Sequence, residues 1–245
     1  MSAPRVLFNI GGFSLHLFGL MVALGFLAGT YAAFRGAEKK GYDKEKVADL
    51  LLYMLIGGVI GARVLYVVQN LGYFLPNPLS ILSIHQGGLS FHGAFFGGAA
   101  VVFYYTRKHR LSFLELADIL APGLVIGYAI GRIGCDIYGN VTNVPWAVTV
   151  EGIKRHPVQL YSALAAYIIF VLLVERSKKQ HFNGEIFLLF VASYSVYRFF
   201  IEFFRTASTN LIFSPAQYLS IITAAAGLLL LFLYKKYMPK QRGVQ

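Results

Sequence analysis

The sequence is short of charge and of cysteine. Asp, Glu, Lys and Arg make up only 13% of its 245 residues, whereas 57% are hydrophobic; soluble domains average about 25% charged residues. The single cysteine, Cys135, excludes an internal disulfide and a cysteine-based metal cluster. The chain also lacks metal-ligand spacing, a phosphate-binding glycine loop and a Ser–His–Asp order, so we expect neither a metal nor a cofactor. This composition indicates an integral membrane protein.

The hydrophobic residues form seven stretches that are long enough to cross a bilayer. A spanning helix needs about 20 mainly apolar residues, and runs of this length exceed the strands of a membrane barrel. The sequence therefore predicts an all-α integral membrane protein with a single transmembrane domain over residues 1–245. Its predicted spans lie at about 13–34, 47–69, 88–106, 113–133, 158–174, 185–204 and 214–234.

The basic residues are distributed unevenly along the chain, whose net charge is +11. Cytoplasmic loops of membrane proteins carry an excess of Lys and Arg. We therefore expect an outer N-terminus, a cytoplasmic C-terminus and contact with anionic lipid rather than with nucleic acid. Fifteen of the 22 Lys and Arg residues follow the first, third, fifth and seventh spans: Arg35, Lys39, Lys40, Lys44, Lys46, Arg107, Lys108, Arg110, Arg176, Lys178, Lys179, Lys235, Lys236, Lys240 and Arg242.

Two connections on the outer side stand out. Residues 70–87 mix aromatic and apolar side chains with prolines, which favours a segment lying in the membrane interface. Residues 134–157 form the longest connection and carry the only tryptophan, Trp146. Long loops carry function more often than they carry the fold, so we expect part of the site here.

Small residues recur at four-residue spacing within three spans. Gly123 and Gly127 in the fourth span, and the pairs Gly57 and Gly61, and Gly93 and Gly97, follow this pattern. This spacing places glycines on one helical face and lets a neighbouring helix approach closely. We interpret them as packing positions that hold nearby polar groups in place.

Charged residues inside or at the ends of spans are the strongest functional signal. An intramembrane charge costs at least about 2.5 kcal/mol, so it indicates function by default. Arg198, Glu202 and Arg205 share one helical face near the outer side, where Arg132 also lies. Arg198 and Glu202 form a structural ion pair, or the surplus positive charge binds a phosphate or carboxylate. Arg63 has the same two alternatives, a carbonyl partner or an anion ligand.

Three polar or nucleophilic side chains each allow two interpretations. His92, in GGLSFHG (87–93), is a satisfied core histidine or a group that exchanges a proton near neutral pH. Gln159 and Tyr161, in HPVQLY (156–161), line the site or anchor a helix start. Cys135 is a small packed residue or a nucleophile beside Arg132.

These motifs, in this order, resemble the prolipoprotein diacylglyceryl transferases of bacteria. The resemblance implies an enzyme of the bacterial cytoplasmic (inner) membrane, with several spans and an active site toward the outer leaflet. It implies transfer of the diacylglyceryl group of phosphatidylglycerol to the lipobox cysteine thiol of a preprolipoprotein signal peptide, releasing glycerol phosphate. The matching pieces are GARVLYV (61–67), GGLSFHG (87–93), Asp118 through AP (121–122) to GRIG (131–134), HPVQLY (156–161) and RFFIEFFR (198–205).

The resemblance also implies roles for individual residues. His92 matches the base for the substrate thiol, and Arg132 and Arg198 match the catalytic groups that hold and neutralise the phosphate. Glu202 would orient an arginine. The expected phospholipid-binding set further includes Arg205, Arg63, Ser90, Gly88, Gln159 and Tyr161, with Cys135, Asn140 and Phe18 as additional members of the site.

The chain departs from the family pattern at four positions. Phe18 stands where Tyr is usual, Cys135 where Asn is usual, Asn143 near a usual Gly and Ser162 where Glu is usual. Two alternatives therefore stay open: a divergent member that uses another lipid or acceptor, and a lipid-binding or transport protein without covalent chemistry. The clustering of intramembrane charge in the outer half argues against transport.

Overall fold

The structure, a computed structural model, describes residues 6–10, 13–83, 87–205 and 212–237. Helices dominate the described chain, joined by two short β-hairpins and two 3-10 turns at Pro78–Leu82 and Glu202–Phe204. The elements in chain order are β1 (Val6–Ile10), β2 (Phe13–His16), α1 (Leu17–Lys39), α2 (Lys44–Gln69), α3 (Leu71–Phe74), α4 (Phe91–Lys108), α5 (Phe113–Ile133), β3 (Val148–Val150), β4 (Ile153–Arg155), α6 (Val158–Ser177), α7 (Glu185–Ile201) and α8 (Pro215–Tyr237).

The long apolar helices confirm the predicted fold class. Among the described residues, six helices are long and apolar enough to cross a membrane: α1, α2, α5, α6, α7 with its terminal 3-10 turn, and α8. The remaining predicted span, 88–106, forms α4, an 18-residue helix that carries His92 and ends in Arg107 and Lys108. The count of seven spans and the orientation of the termini stay predictions.

The two β-hairpins were not expected from the sequence. The predicted span 13–34 begins with β2, which pairs antiparallel with β1, so α1 starts at Leu17 and extends to Lys39. The hairpin β3–β4 lies within the long connection 134–157. Its turn residues Glu151 and Gly152 have φ angles of 50° and 79°, as a tight hairpin turn requires. Strands of three residues are too short to leave a periodic sequence signal.

The chain divides into two compact units. The first unit comprises Met1–Ala33 and Ala117–Gln245, and the second comprises Phe34–Leu116. The segment 70–87, expected in the interface, belongs to the second unit and contains α3 and the first 3-10 turn; its residues 84–86 lie outside the described part of the chain.

Glycines bring helices into backbone contact in both units. In the first unit, a Cβ atom added to Gly25 of α1 would lie 2.6 Å from the carbonyl oxygen of Gly127 of α5. In the second unit, Gly61 of α2 and Gly93 of α4 face one another so closely that a Cβ on either would overlap the other's carbonyl oxygen. The prediction that the four-residue spacing marks close helix packing is confirmed.

Helix α5 is the most buried of the six long helices. In its most apolar 18-residue stretch 56% is buried, against 17–33% in the corresponding stretches of the other five helices. Its small and branched residues form one core cluster with α6 and the start of α7. Asp118 lies near the start of α5, the end that is predicted to face the cytoplasm. It is 3% exposed and accepts hydrogen bonds from the backbone nitrogens of Gly184 (2.7 Å) and Phe187 (2.9 Å). This carboxylate caps α7, because the first N–H groups of a helix lack partners of their own.

Candidate functional site

Arg132 lies in the last turn of α5, at the end opposite Asp118. Its Nη1 donates a hydrogen bond to Sγ of the buried Cys135 at 3.1 Å. Its Nε is buried and has no hydrogen-bond partner among the described residues. The next loop is held tightly, because a Cβ on Gly134 would lie 2.9 Å from the carbonyl oxygen of Leu17. Arg132 is therefore fixed by its surroundings and keeps a donor available for an acceptor.

Arg198 and Glu202 form the predicted pair at the end of α7. Arg198 Nη1 donates to Glu202 Oε2, and Arg205 Nη1 lies 3.9 Å from the same oxygen. Ser214 Oγ donates to the other oxygen, Oε1, at 3.4 Å. The ion-pair alternative is thus present, yet one carboxylate facing two guanidinium groups leaves a surplus positive charge. Binding of an anion by this face stays a prediction.

Tyr194 connects the two arginines that the sequence singled out. The charges of both Arg132 and Arg198 act on its hydroxyl group. Its ring packs edge-on against Tyr128 and Tyr197, each with a centroid separation of 5.6 Å. The structure thereby brings Arg132 and Arg198 to one aromatic cluster within the first unit. Sequence reasoning missed these tyrosines, although Tyr194 and Tyr197 precede Arg198 at four- and one-residue spacing on the same helix.

A chain of hydroxyl groups continues from this cluster to α6. The Tyr128 and Tyr197 hydroxyl oxygens are 3.1 Å apart, and the Tyr197 hydroxyl lies near that of Ser162. Ser162, 1% exposed, donates to the carbonyl oxygen of Val158 at 2.6 Å. This is the position where the family pattern carries Glu, so a neutral hydroxyl network occupies the place of a carboxylate.

The HPVQLY segment contains a second aromatic network. Trp146 Nε1 donates to the Tyr161 hydroxyl at 2.6 Å, and that hydroxyl lies 3.2 Å from Nδ1 of His156. The ring of Phe204 packs against both His156 and Tyr161. Tyr161 therefore anchors the outer connection, and His156 is a polar residue of this region that the sequence analysis did not select. An open groove of about 540 Å³ runs beside it, lined by Val144, Trp146, His156, Tyr161, Ala165, Tyr197, Phe200, Ile201 and Phe204.

Asn140 and Phe18 have structural surroundings that their motifs did not reveal. Asn140 donates from its backbone nitrogen to the carbonyl oxygen of Phe204 at 2.8 Å and from Nδ2 to that of Phe203 at 3.3 Å. It thus ties the long connection to the end of α7. Phe18, in the first turn of α1, is 51% exposed, and Asn143 is also exposed.

In the second unit, Arg63 resolves its two alternatives in favour of carbonyl partners. The residue is 7% exposed, and its guanidinium lies against the rings of Tyr66 and Phe74. Because its N–H groups are engaged, direct anion binding is disfavoured. The acceptors are the carbonyl oxygens of Ser80 (2.6 Å), Ile81 (2.8 Å), Ser83 (3.4 Å), Gly87 (2.8 Å) and Gly88 (3.0 Å).

The same segment leads directly to His92. Gly88 has a φ angle of 77°, and a Cβ there would lie 2.8 Å from Arg63 Nη1, so only glycine fits. Ser90 is the N-cap residue of α4, and its backbone nitrogen donates to the carbonyl oxygen of Ala62 at 3.0 Å. His92 follows in the first turn of α4 with an exposed side chain. This exposure argues against the alternative of a core histidine.

The predicted site residues thus fall into two groups. The first unit contains Arg132, Arg198 and Glu202, and also Phe18, Arg205, Gln159, Tyr161, Cys135 and Asn140. His92 belongs to the second unit, together with Arg63, Gly88 and Ser90.

Comparison with known proteins gives matches along the chain. The family model described as prolipoprotein diacylglyceryl transferase matches residues 5–233. A phosphatidylglycerol–prolipoprotein diacylglyceryl transferase of Finegoldia magna is 34% identical over 242 residues, covering 96% of this chain and 98% of the relative. Proteins of the same name from Geobacter sulfurreducens and Vibrio cholerae are each 36% identical, covering 84% and 97% of this chain and 84% and 94% of their own length.

Proposed function

This chain belongs to the prolipoprotein diacylglyceryl transferase family, and from that membership and its arginine cluster we propose that it transfers the diacylglyceryl group of phosphatidylglycerol to the lipobox cysteine of preprolipoproteins. The observation that carries the proposal is that Arg132 and Arg198 both lie within electrostatic range of Tyr194, while the buried Nε of Arg132 has no partner among the described residues. A positive surplus next to buried donors suits an anionic phosphodiester.

The chemistry defines what the site must stabilise. The cysteine sulfur attacks the glycerol carbon that carries the phosphate ester, forming an S–C bond while the C–O bond breaks. The electron pair of that bond leaves with the phosphate oxygen, and the thiol proton passes to a base. The phosphate therefore changes from a singly charged diester to a doubly charged monoester, so negative charge grows on its oxygens in the transition state.

Arg132 and Arg198 are suited to this growing charge. Donors that are already oriented before the reaction stabilise developing charge without reorganisation, and one such donor contributes about 10²- to 10³-fold in rate. The hydrogen bond to Cys135 orients Arg132, and Glu202 orients Arg198. In this proposal Glu202 and Arg205 act by positioning, and Arg132 and Arg198 contact the phosphate.

His92 is assigned as the base by its match to the family motif and by its exposed position in the first turn of α4. A histidine side chain can accept the proton of a thiol near neutral pH. Arg63, Gly88 and Ser90 define the backbone that leads into this turn. Their role in this proposal is to position His92.

The proposed location is the bacterial inner membrane, with the site toward the outer leaflet. Six helices of spanning length and bacterial relatives support the membrane assignment. The assignment to the outer leaflet is supported by the basic clusters after the first, third, fifth and seventh predicted spans. These clusters predict a cytoplasmic side opposite to Arg132 and Arg198.

The test is a transfer assay with phosphatidylglycerol vesicles and a lipobox peptide. We expect thioether product from the wild type, and a loss of at least about 100-fold in His92→Ala and in Arg132→Ala. Arg107→Ala, at the opposite end of α4 from His92, is the matched control and should retain activity. Full activity in both site variants would refute the residue assignment, and absence of product from a folded wild type would refute the function.

A further inference from the structure

Gln159 is a buried polar side chain whose amide oxygen has no hydrogen-bond partner among the described residues. It lies in the first turn of α6, is 3% exposed, and its Oε1 has no hydrogen-bond partner among the described residues. Buried polar atoms are nearly always paired, because leaving one unpaired is costly. The carboxamide oxygen of Gln159 is therefore able to accept a hydrogen bond from a bound ligand.

Arg132 has an unpaired donor, whereas Gln159 has an unpaired acceptor. Its Nε is a buried donor without an acceptor, although its Nη1 is held by Cys135. Besides the hydroxyl of Thr30 on α1, the described part of the first unit contains one unpaired buried acceptor, Gln159 Oε1 on α6, and one unpaired buried donor, Arg132 Nε on α5. A single ligand that both accepts and donates hydrogen bonds would satisfy the two atoms together.

Helix packing places these atoms at the same end of an antiparallel pair. Asp118, near the start of α5, accepts hydrogen bonds from Gln180 and Gly184, which follow the end of α6, so the two helices run in opposite directions. Between these ends they share one core cluster, formed by Ala121, Val125 and Ala129 of α5 and by Ala166, Ile169 and Leu173 of α6.

The hydroxyl chain described above fixes the register at the other end. The hydroxyl of Tyr128 on α5 lies 3.1 Å from that of Tyr197, which in turn lies near the hydroxyl of Ser162 on α6. One helical turn beyond Tyr128 is Arg132, and one turn before Ser162 is Gln159. Both unpaired atoms therefore lie one turn past the Tyr128–Tyr197–Ser162 network, in the direction of the surplus arginine charge.

We propose that Gln159 accepts a hydrogen bond from a hydroxyl group of the lipid head group, and so selects a polyol phosphodiester. The inference rests on the proposed function and assigns this residue a part in specificity. A phosphate accepts from Arg132 Nε, and a neighbouring glycerol hydroxyl donates to Gln159 Oε1. An ethanolamine head group also donates, but its ammonium charge is disfavoured beside Arg132 and near Arg198 and Arg205, which share the carboxylate of Glu202.

The experiment compares two lipids that share the phosphodiester. Phosphatidylglycerol carries head-group hydroxyls, whereas phosphatidylpropanol has the same three-carbon length without them. We expect the wild type to show a kcat/KM at least about tenfold higher with phosphatidylglycerol, since the analogue leaves Gln159 unpaired. Equal kcat/KM for the two lipids in the wild type would overturn the inference without recourse to any variant.

Gln159→Met removes the acceptor and keeps the unbranched shape of the side chain. It should lower kcat/KM for phosphatidylglycerol by about tenfold and leave kcat/KM for phosphatidylpropanol nearly unchanged. The ratio of the two kcat/KM values should therefore come close to one. Gln159→Glu keeps an oxygen at the same place and should preserve the ratio. Gln69→Met, at the exposed end of α2, is the matched control and should change neither lipid. An equal loss for both lipids in Gln159→Met would show a packing role and overturn the inference.

A binding measurement separates this inference from the proposed function. If the folded wild type transfers neither lipid, the proposed function fails, and the affinities of the two lipids, measured by native mass spectrometry, then decide the inference. A preference for phosphatidylglycerol of about tenfold that Gln159→Met abolishes supports it. Equal affinities, as expected if only water occupies the position, overturn it.

Discussion

Arg132 donates a hydrogen bond to the sulfur of Cys135 across 3.1 Å, immediately after α5 ends. The contact defines the orientation of a guanidinium group that the proposed reaction requires. In the family pattern an asparagine, which also offers an acceptor, stands at the position of Cys135. We infer that Cys135 serves here as a hydrogen-bond acceptor rather than as a nucleophile.

Substitution of Cys135 tests this interpretation. Cys135→Asn should retain activity within a few-fold, because its amide oxygen replaces the sulfur as an acceptor, whereas Cys135→Ala should lower kcat by about tenfold. Steady-state transfer assays with saturating lipid measure the difference. If Cys135 were a nucleophile, Cys135→Asn would be as inactive as Cys135→Ala.

Glu202 holds Arg198 and lies 3.9 Å from Arg205, so its charge should matter more than its size. Glu202→Gln keeps the shape but weakens the charge-assisted bond, and we expect a loss of kcat of about 10- to 100-fold. The measurement is transfer rate at saturating lipid. Glu175→Gln, which alters an exposed pair with Lys178, is the control and should be silent. Equal effects of the two substitutions would contradict the positioning role of Glu202.

Arg63 donates to five carbonyl oxygens, a pattern that lysine cannot reproduce with its three donors. Arg63→Lys should lower the free energy of unfolding by about 2–4 kcal/mol, because a buried charge loses partners. Thermal unfolding in detergent measures this as a reduced Tm. The exposed Arg107→Lys should leave Tm unchanged. A normal Tm for Arg63→Lys would show that the carbonyl contacts contribute little.

The glycine contact between α1 and α5 offers a test with an internal control. Gly25→Ala places a methyl group 2.6 Å from the backbone oxygen of Gly127, so the helices must separate, and we expect a loss of about 1–3 kcal/mol in stability. Gly19→Ala on the same helix meets nothing within 4 Å and should be neutral or slightly stabilising. Chemical or thermal unfolding compares the two. Similar stability for both variants would argue against close packing at Gly25.

Tyr42, between α1 and α2, introduces a pH dependence. Burial and then its 2.7 Å hydrogen bond to Glu115 raise the pKa of the Tyr42 hydroxyl above its usual value near 10. The neutral hydroxyl is therefore favoured in the folded state, and its contribution to stability is complete below pH 10 and declines as the pH rises above 10. Unfolding should be measured as a function of pH. Below pH 10 the free energy of unfolding of the wild type should be larger than that of Tyr42→Phe, and above pH 10 this difference should shrink. A difference that stays constant to high pH would exclude this linkage.

The sequence predicted the elements more accurately than their contacts. The span at 113–133 coincides with α5, and the glycine spacing correctly marked Gly123, Gly127, Gly61 and Gly93 as contact positions. Intramembrane charge also singled out Arg132, Arg198 and Glu202, which the structure brings near one another through Tyr194 and the ion pair. The span and the glycine contacts were predictable because the length of an apolar run and glycine spacing are properties of short segments, whereas the roles of the three charged residues stay predictions.

Other features required the folded chain. The strands of β3 and β4 are too short to be periodic, and the carbonyl partners of Arg63 come from residues 17–25 positions away, whose backbone oxygens carry no sequence signal. The unpaired oxygen of Gln159 is visible only once the surrounding helices bury it.

By itself, then, the sequence determined the membrane class, the helical segments and which polar and charged residues lie within them. The tertiary structure alone decided which of those residues retain unsatisfied donors or acceptors. The physical reason is that burial and hydrogen-bond pairing depend on how helices rotate and pack against each other, which no single segment specifies.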